Sequence, residues 1–231
     1  MITVRKAGDR GFSKLDWLES YHSFSFADYY DEHNTSFSVL RVINDDTVIP
    51  DGGFPTHSHK NMEIITYVLR GSLEHKDSLG NTSVIHPGDT QRMSAGQGVT
   101  HSEYNASSTE TVHFLQIWVI PNVLGVTPSY EQKHVPQSLK KGQLKLIASS
   151  TGSQDVVMLH QDADIYASVL DAGDEVIFGS DQRAVYLHVI RGSLKVNSVD
   201  AHEGDGVKVM HENTLRIQCV SDSEFLLFDL P

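Results

Sequence analysis

The sequence predicts an all-β chain built as two barrel or jelly-roll units, and three observations carry that prediction. Short runs rich in Val, Ile, Leu, Tyr and Phe alternate with Gly, Pro, Asn and Asp punctuation along the whole chain. No long window shows helical periodicity. One pattern also recurs. Val68-Leu-Arg-Gly-Ser-Leu-Glu-His75 reads against Val189-Ile-Arg-Gly-Ser-Leu-Lys-Val196, 121 residues later, and Gly52 falls on Gly173 at the same offset. Pro87-Gly88-Asp89 reads against Glu203-Gly204-Asp205 at an offset of 116, so three landmarks in one order indicate two copies of one β unit.

Taken in order, the segment Trp17 to Asp46 is dense in aromatics (Tyr21, Phe24, Phe26, Tyr29, Tyr30, Phe37), which are expected in the core. Phe37–Ile43 reads as a strand and Asp45-Asp46 as a turn. Further strands are expected at Ile64–Leu69 and Val112–Ile120, with turns at Asp51-Gly52-Gly53, Arg70-Gly71, Leu79-Gly80-Asn81 and Pro87-Gly88-Asp89. The stretch from Pro121 to Gly142 holds Pro121, Pro128 and Pro136 and few apolar runs, and reads as a linker. Beyond it, Ala184–Ile190, Leu215–Val220 and Glu224–Leu230 are expected strands, with turns at Ala172-Gly173-Asp174, Arg191-Gly192 and Glu203-Gly204-Asp205. The chain therefore divides into an N-terminal domain at 1–125, a linker at 126–142 and a C-terminal domain at 143–231.

Composition narrows the function. The 231 residues carry 18 Lys and Arg against 30 Asp and Glu, a net charge of −12. That charge is spread evenly over both halves, so the electrostatic term that drives nucleic-acid binding is missing and no direct nucleic-acid partner is expected. No apolar run approaches the ~18 residues of a membrane span, so no membrane partner is expected. Met1 to Phe12 has cations but no apolar signal-peptide core, and the expected location is cytoplasmic. A single cysteine, Cys219, cannot form an internal disulfide; it sits in an apolar alternating run and is expected to be buried and inert. The unusual number is thirteen histidines.

The chemistry concentrates in two segments. In Gly53-Phe-Pro-Thr-His57-Ser-His59-Lys-Asn-Met-Glu63, His57 and His59 are an i, i+2 pair, which a strand points to one face; Glu63 shares that face if the strand stays regular. In Ser94-Ala-Gly96-Gln-Gly98-Val-Thr-His101-Ser-Glu103-Tyr-Asn105, His101 and Glu103 form a second such pair. On facing strands the two pairs give three neutral imidazoles and a carboxylate, a donor set for a first-row divalent metal with positions left open for water, oxygen or substrate. A closed zinc site more often uses thiolates, and this chain has one. A lone His-x-His is a weak signal; the glycines before it and the Gly-rich turn into His-x-Glu about forty residues later give it weight. The other ten histidines show no such grouping, with His22 and His113 the first candidates for a pocket role. Phe24, Phe26, Phe54, Met62 and Trp118 are expected in the core, some of them lining a cavity above the metal.

This ordered pattern resembles the two motifs of the cupin superfamily: Gly52/Gly53, His57, His59, Glu63 and Gly71, then Gly88, Gly96, His101 and Asn105, with slightly short glycine spacing in the first and Ser94 in place of the usual proline in the second. More specifically, Trp17–Asp31, Leu40–Asp46, His57–Glu63, Gly98–Asn105, Gln116-Ile-Trp118 and Thr127-Pro-Ser-Tyr-Glu-Gln132 resemble the pirin family over nearly the whole chain. The resemblance implies a bicupin, two cupin (double-stranded β-helix) barrels in one chain with metal only in the first. The second copy agrees independently. His57, His59 and Glu63 fall on Phe178, Ser180 and Ala184, and His101 and Glu103 on Ile217 and Cys219, so every ligand position has lost its imidazole or carboxylate.

For the fourth ligand, the general cupin pattern favours Glu63, whereas the pirin pattern uses His57, His59, His101 and Glu103; we take Glu103, with Glu63 behind it holding an imidazole N–H. The resemblance to bacterial pirins further implies a quercetin 2,3-dioxygenase type of activity. A flavonol and O2 would be the substrates, and Glu103 the catalytic base. The cofactor would be one divalent transition metal, iron(II) first, with copper, nickel, manganese, cobalt and zinc open. The alternative it implies is a metal- or redox-sensing regulator that binds a transcription factor or a metabolic enzyme. Two fused cupins can satisfy within one chain what single cupins achieve as dimers, so a monomer is expected.

Overall fold

The computed structural model describes residues 1–231. Twelve strands lead up to Pro136: β1 (Ile2–Arg5), β2 (Gly11–Lys14), β3 (Leu18–His22), β4 (Leu40–Val48), β5 (Gly53–His59), β6 (Glu63–Arg70), β7 (Leu73–Asp77), β8 (Thr82–Ile85), β9 (Asp89–Ser94), β10 (Val99–Asn105), β11 (Val112–Val119) and β12 (Ser129–His134). Eight follow: β13 (Lys145–Ser149), β14 (Val157–Met158), β15 (Asp164–Leu170), β16 (Glu175–Gly179), β17 (Ala184–Val196), β18 (Val199–His202), β19 (Gly206–Val209) and β20 (Thr214–Leu230). The only helices are two 3-10 turns, Ala7–Asp9 and Gln137–Leu139. No helix is long and apolar enough to cross a membrane. The chain is all-β and divides into two compact units.

One unit comprises Gly11–His134 and Ser150–Gln161. Its larger sheet runs β12-β9-β6-β11-β4-β3-β2, and its smaller one β5-β10-β7-β8. Position in the sheet explains the sequence of each strand. β6 is central and buried on both faces, hence the unbroken run Ile64, Ile65, Thr66, Tyr67, Val68. β10 alternates: Val99, His101, Glu103 and Asn105 are buried, while Thr100 and Tyr104 are exposed. Leu18, Val48, Val68, Leu73, Ile85, Val112 and Phe114 form one apolar cluster, and Ile64, Met93, Ala95 and Val99 a second. Each of the larger side chains contributes about 1.5–3 kcal/mol by leaving water.

The other unit comprises Met1–Arg10, Val135–Ser149 and Asp162–Pro231. Its sheet runs β1-β19-β17-β20-β15-β13, with β16 on β20 and β18 on β17. The expected boundaries, 1–125, 126–142 and 143–231, differ from these units at both ends of the first domain. β1 pairs antiparallel with β19, Ile2 opposite Val209, because that edge needs a partner and Met1–Arg10 supplies it. The ion pair of Lys6 with Asp205, at 2.9 Å, fixes the segment further. Within the expected linker, Ser129–His134 is a strand laid on β9. Two more readings are corrected: β4 runs straight through Asp45 and Asp46, which make no turn, and Leu215–Val220 and Glu224–Leu230 are parts of one strand, β20.

The internal repeat shows in the backbone. Gly71 between β6 and β7 has φ +76°, and its counterpart Gly192, where β17 bends, has φ +81°. Both are in the left-handed region that favours glycine, and a Cβ at either would stand 2.6 Å from the Thr111 carbonyl oxygen or 2.2 Å from that of Asp222. At Gly80 (φ +92°) a Cβ would meet nothing within 4 Å. We therefore predict that Gly71→Ala and Gly192→Ala each cost about 2–4 kcal/mol in urea unfolding, and Gly80→Ala only about 1 kcal/mol.

Candidate metal centre

Antiparallel pairing of β5 with β10 sets His101 directly opposite His57 and Val99 opposite His59. The register then slips between His101 and Glu103, so that Glu103 faces Phe54. His57, His59 and His101 converge: their ring centres stand 4.4–4.9 Å apart, and each offers a nitrogen within 4.8 Å of the others. The His57 Nδ1–H donates to the Pro55 carbonyl at 2.8 Å, which leaves Nε2 with its lone pair free.

His101 is 2 % exposed, and both of its ring nitrogens are buried without a hydrogen-bond partner. Burial, reinforced by His57, His59 and His75, holds it down to about 2. Burial, with His57 beside it, lowers His59 to about 4. These imidazoles are therefore neutral at physiological pH, the form that binds a metal. An orphaned buried imidazole facing two further imidazoles fits a divalent transition ion, and nothing else in the structure satisfies it.

Glu103, 2 % exposed, accepts a hydrogen bond from Gln116 Nε2 at 2.9 Å on Oε2 and one from Thr66 Oγ1 at 3.4 Å on Oε1. Burial pushes its carboxyl up to about 7 against those two hydrogen bonds. In this position its oxygens group with His101 and with His75 rather than with His57 and His59. His75 stands opposite Glu103 across the β7–β10 pairing and is fully buried. Its Nε2 meets Asp77 Oδ2 at 3.1 Å, while its Nδ1 has no partner. Burial alone would raise Asp77, but hydrogen bonds from Asn81, His75 and the Leu79 and Asn81 backbones hold it below the usual carboxylate range.

A small pocket of about 50 Å³ opens onto the cluster. Phe26, Phe54 and Trp118 form its apolar walls, and Asn44, Asp46, Gln116, Glu103, His57 and His59 its polar ones. Trp118 packs edge-on against both His59, at 5.0 Å, and Phe26, at 5.4 Å.

The remaining candidates lie elsewhere. The turn after His59 reverses the chain, so Glu63 opens β6 and does not share the face of His57 and His59. Its carboxylate accepts from Ser94 Oγ at 2.8 Å and lies 3.4 Å from His160 Nδ1. The imidazole it meets is thus that of His160, not that of His57, His59 or His101. His22 is buried between Ser13 and Asn44, and His113 pairs with Asp45 at 2.6 Å; neither lines the pocket. Sequence reasoning missed His75 and Asp46. The available signals were the spacing of His75 and Asp77 as a third i, i+2 pair, and polar Asn44 and Asp46 alternating within an otherwise apolar strand.

Comparison with known proteins now bears on this site. Residues 3–119 match the family model described as Pirin, and residues 146–230 that of the quercetinase C-terminal cupin domain. The chain belongs to the pirin family. It is 44 % identical to the quercetin 2,3-dioxygenase of Escherichia coli (strain K12), covering 100 % of this chain and 99 % of that protein. It is 43 % identical to a protein of Pasteurella multocida called a putative quercetin 2,3-dioxygenase, with 100 % of both covered. Among solved structures, Escherichia coli YhhW matches with a TM-score of 0.96 at 44 % identity, covering 100 % of this chain and 98 % of that one. The nickel(II) complex of the same bacterial pirin matches with a TM-score of 0.95, covering 100 % and 99 %. That protein holds nickel(II); in this chain the His57, His59 and His101 nitrogens stand close enough together to hold one metal ion.

The raised Glu103 gives a test of the electrostatics. A carboxyl with a raised folded-state pKa binds its proton more tightly folded than unfolded, so its contribution to stability is lost as pH rises from about 4.5 through about 7. We predict that in chelator-treated protein Glu103→Gln gains on the wild type by on the order of 2 kcal/mol between pH 4.5 and pH 8, read from urea unfolding at both pH values.

Proposed function

We propose that this pirin is a metal-dependent dioxygenase of the quercetin 2,3-dioxygenase type that cleaves flavonols with O2, and that His57, His59, His101 and Glu103 are its metal ligands. The observation that carries the proposal is the orphaned His101 imidazole, converging with His57 and His59 at the end of an aromatic-walled pocket that also holds a buried carboxyl group. When bound, a divalent transition ion, iron(II) first, supplies Lewis acidity and a template that brings a flavonol hydroxyl and dioxygen together.

The protein's own groups do the rest. Phe26, Phe54 and Trp118 give a flat aromatic apolar walls to stack on at the pocket. Glu103 is the base for the flavonol 3-hydroxyl proton. Gln116 and Thr66 hold that carboxylate in orientation from β11 and β6. The product side of the reaction is a cleaved central ring and carbon monoxide.

Metal analysis of protein purified without added metal, followed by quercetin assays with and without oxygen, tests the proposal. Oxygen-dependent loss of the quercetin absorbance is expected. Its absence with iron, copper, nickel, manganese, cobalt and zinc alike overturns it. We further predict that His101→Ala lowers metal affinity by at least 10–100-fold and that Glu103→Gln lowers turnover by about 10²-fold or more. Full metal content and full activity in Glu103→Gln would remove that residue from both roles.

A further inference from the structure

Asp46 is a buried acid that neither the metal ligands nor the base accounts for. It lies on β4, with Ser20 of β3 on one side and Phe114 of β11 on the other. It is 2 % exposed, yet it lines the same pocket as Glu103, Gln116, His57 and His59. Ser20 hydrogen-bonds its carboxyl group, but Oδ1 is buried and has no partner. The charged groups it feels are Asp45 and Glu103, both acidic, and no Lys or Arg lines the pocket. Asp46 belongs to neither group of side chains that could hold an ion. A buried acceptor left unpaired is costly, because it has given up water and gained no donor in return.

The position of this oxygen defines what would satisfy it. It belongs to a strand separate from β5 and β10, so a ligand reaching both Asp46 and Glu103 presents polar groups at two points on its outline. Phe26, Phe54 and Trp118 between them select a flat ring. We propose that Asp46 is a substrate-binding residue that accepts a hydrogen bond from a second hydroxyl of a polyhydroxylated aromatic, distinct from the hydroxyl that Glu103 deprotonates. The proposal rests on the dioxygenase reading of the pocket and deepens it. Asp46 sets which flavonols bind, through a hydroxyl away from the reacting ring.

Anaerobic titration of the metal-loaded protein tests this without turnover. The probes are quercetin, which carries several hydroxyls, and 3-hydroxyflavone, which carries only the one Glu103 would address. For Asp46→Ala we expect about tenfold weaker quercetin binding, the value of one hydrogen bond, and 3-hydroxyflavone affinity within about twofold of wild type. Asp46→Asn keeps an acceptor oxygen at the same place and should retain more quercetin affinity than Asp46→Ala. Under oxygen, KM for quercetin should rise with kcat within about threefold, because the interaction is the same in ground and transition states. Metal content and unfolding midpoint establish that each variant is loaded and folded; should Asp46→Ala fail to fold, the comparison of Asp46→Asn between the two probes decides.

Unchanged quercetin binding in both variants, as an ordered water on Oδ1 would give, overturns the proposal. So does an equal loss for both probes, which marks a general packing role. If the wild type binds both flavonols with this Asp46-dependent discrimination but turns over neither with oxygen, the dioxygenase reading fails and the role of Asp46 stands. If it binds neither, both fall.

Discussion

Antiparallel pairing of β5 with β10 places His57 opposite His101, and the slip in register one residue later decides where Glu103 goes. A regular ladder would repeat the same cross-strand spacing along both strands. Here the irregularity sets Glu103 against Phe54, and the pairing of β10 with β7 on its other side sets it against His75. Gln116 and Thr66, from the larger sheet, then hold the carboxylate. The centre is therefore made by three adjacent strands of one sheet, β5, β10 and β7, and oriented by two strands of the other. Displacing any one of them changes which donor atoms meet.

Burial then acts on this cluster in two opposite ways. Loss of water disfavours the charged form of every group. For His59 and His101 that means a neutral ring with a free lone pair, which is what a metal needs. For Glu103 and Asp46 it means a carboxyl that still holds its proton near neutrality, with values of about 7 in both cases. One physical cause thus prepares ligands and proton acceptors together.

Much of this was legible in the sequence, because strands have a period of two. His57-x-His59 and His101-x-Glu103 could be placed on common faces from spacing alone, and the recurring Arg-Gly-Ser-Leu turn marked the second copy. What escaped is what depends on partners distant along the chain. Glu63 follows His59 by four residues, and only the turn between β5 and β6 sends it to Ser94 and His160 instead. His75 carries no mark of its own until β7 lies against β10. Asp45-Asp46 has the composition of a turn, and only the pairing of β4 with both β3 and β11 shows it to be a strand with one acid facing His113 and the next facing the pocket. Likewise nothing in Ile2–Arg5 says that its partner is 207 positions on, at Val209.

The two units show what a cupin-type barrel does with and without a site. Where the first has His57, His101 and Glu103, the second has Phe178, Ile217 and Cys219, all three buried in one apolar cluster with Leu170, Val185, Leu215 and Phe225. The backbone device at Gly71 and Gly192 is the same, so the fold does not require the polar residues. An apolar interior of this kind contributes burial free energy at every position and needs no hydrogen-bond partners. The polar interior forgoes that stabilisation at four or more adjacent positions, and it leaves His101, His75 and Asp46 with unpaired buried atoms. What sets these atoms apart is their company: His101 and His75 group with His57, His59 and Glu103, and Asp46 lines the pocket with His57, His59 and Glu103, which is the physical ground for assigning that pocket a ligand rather than a structural role.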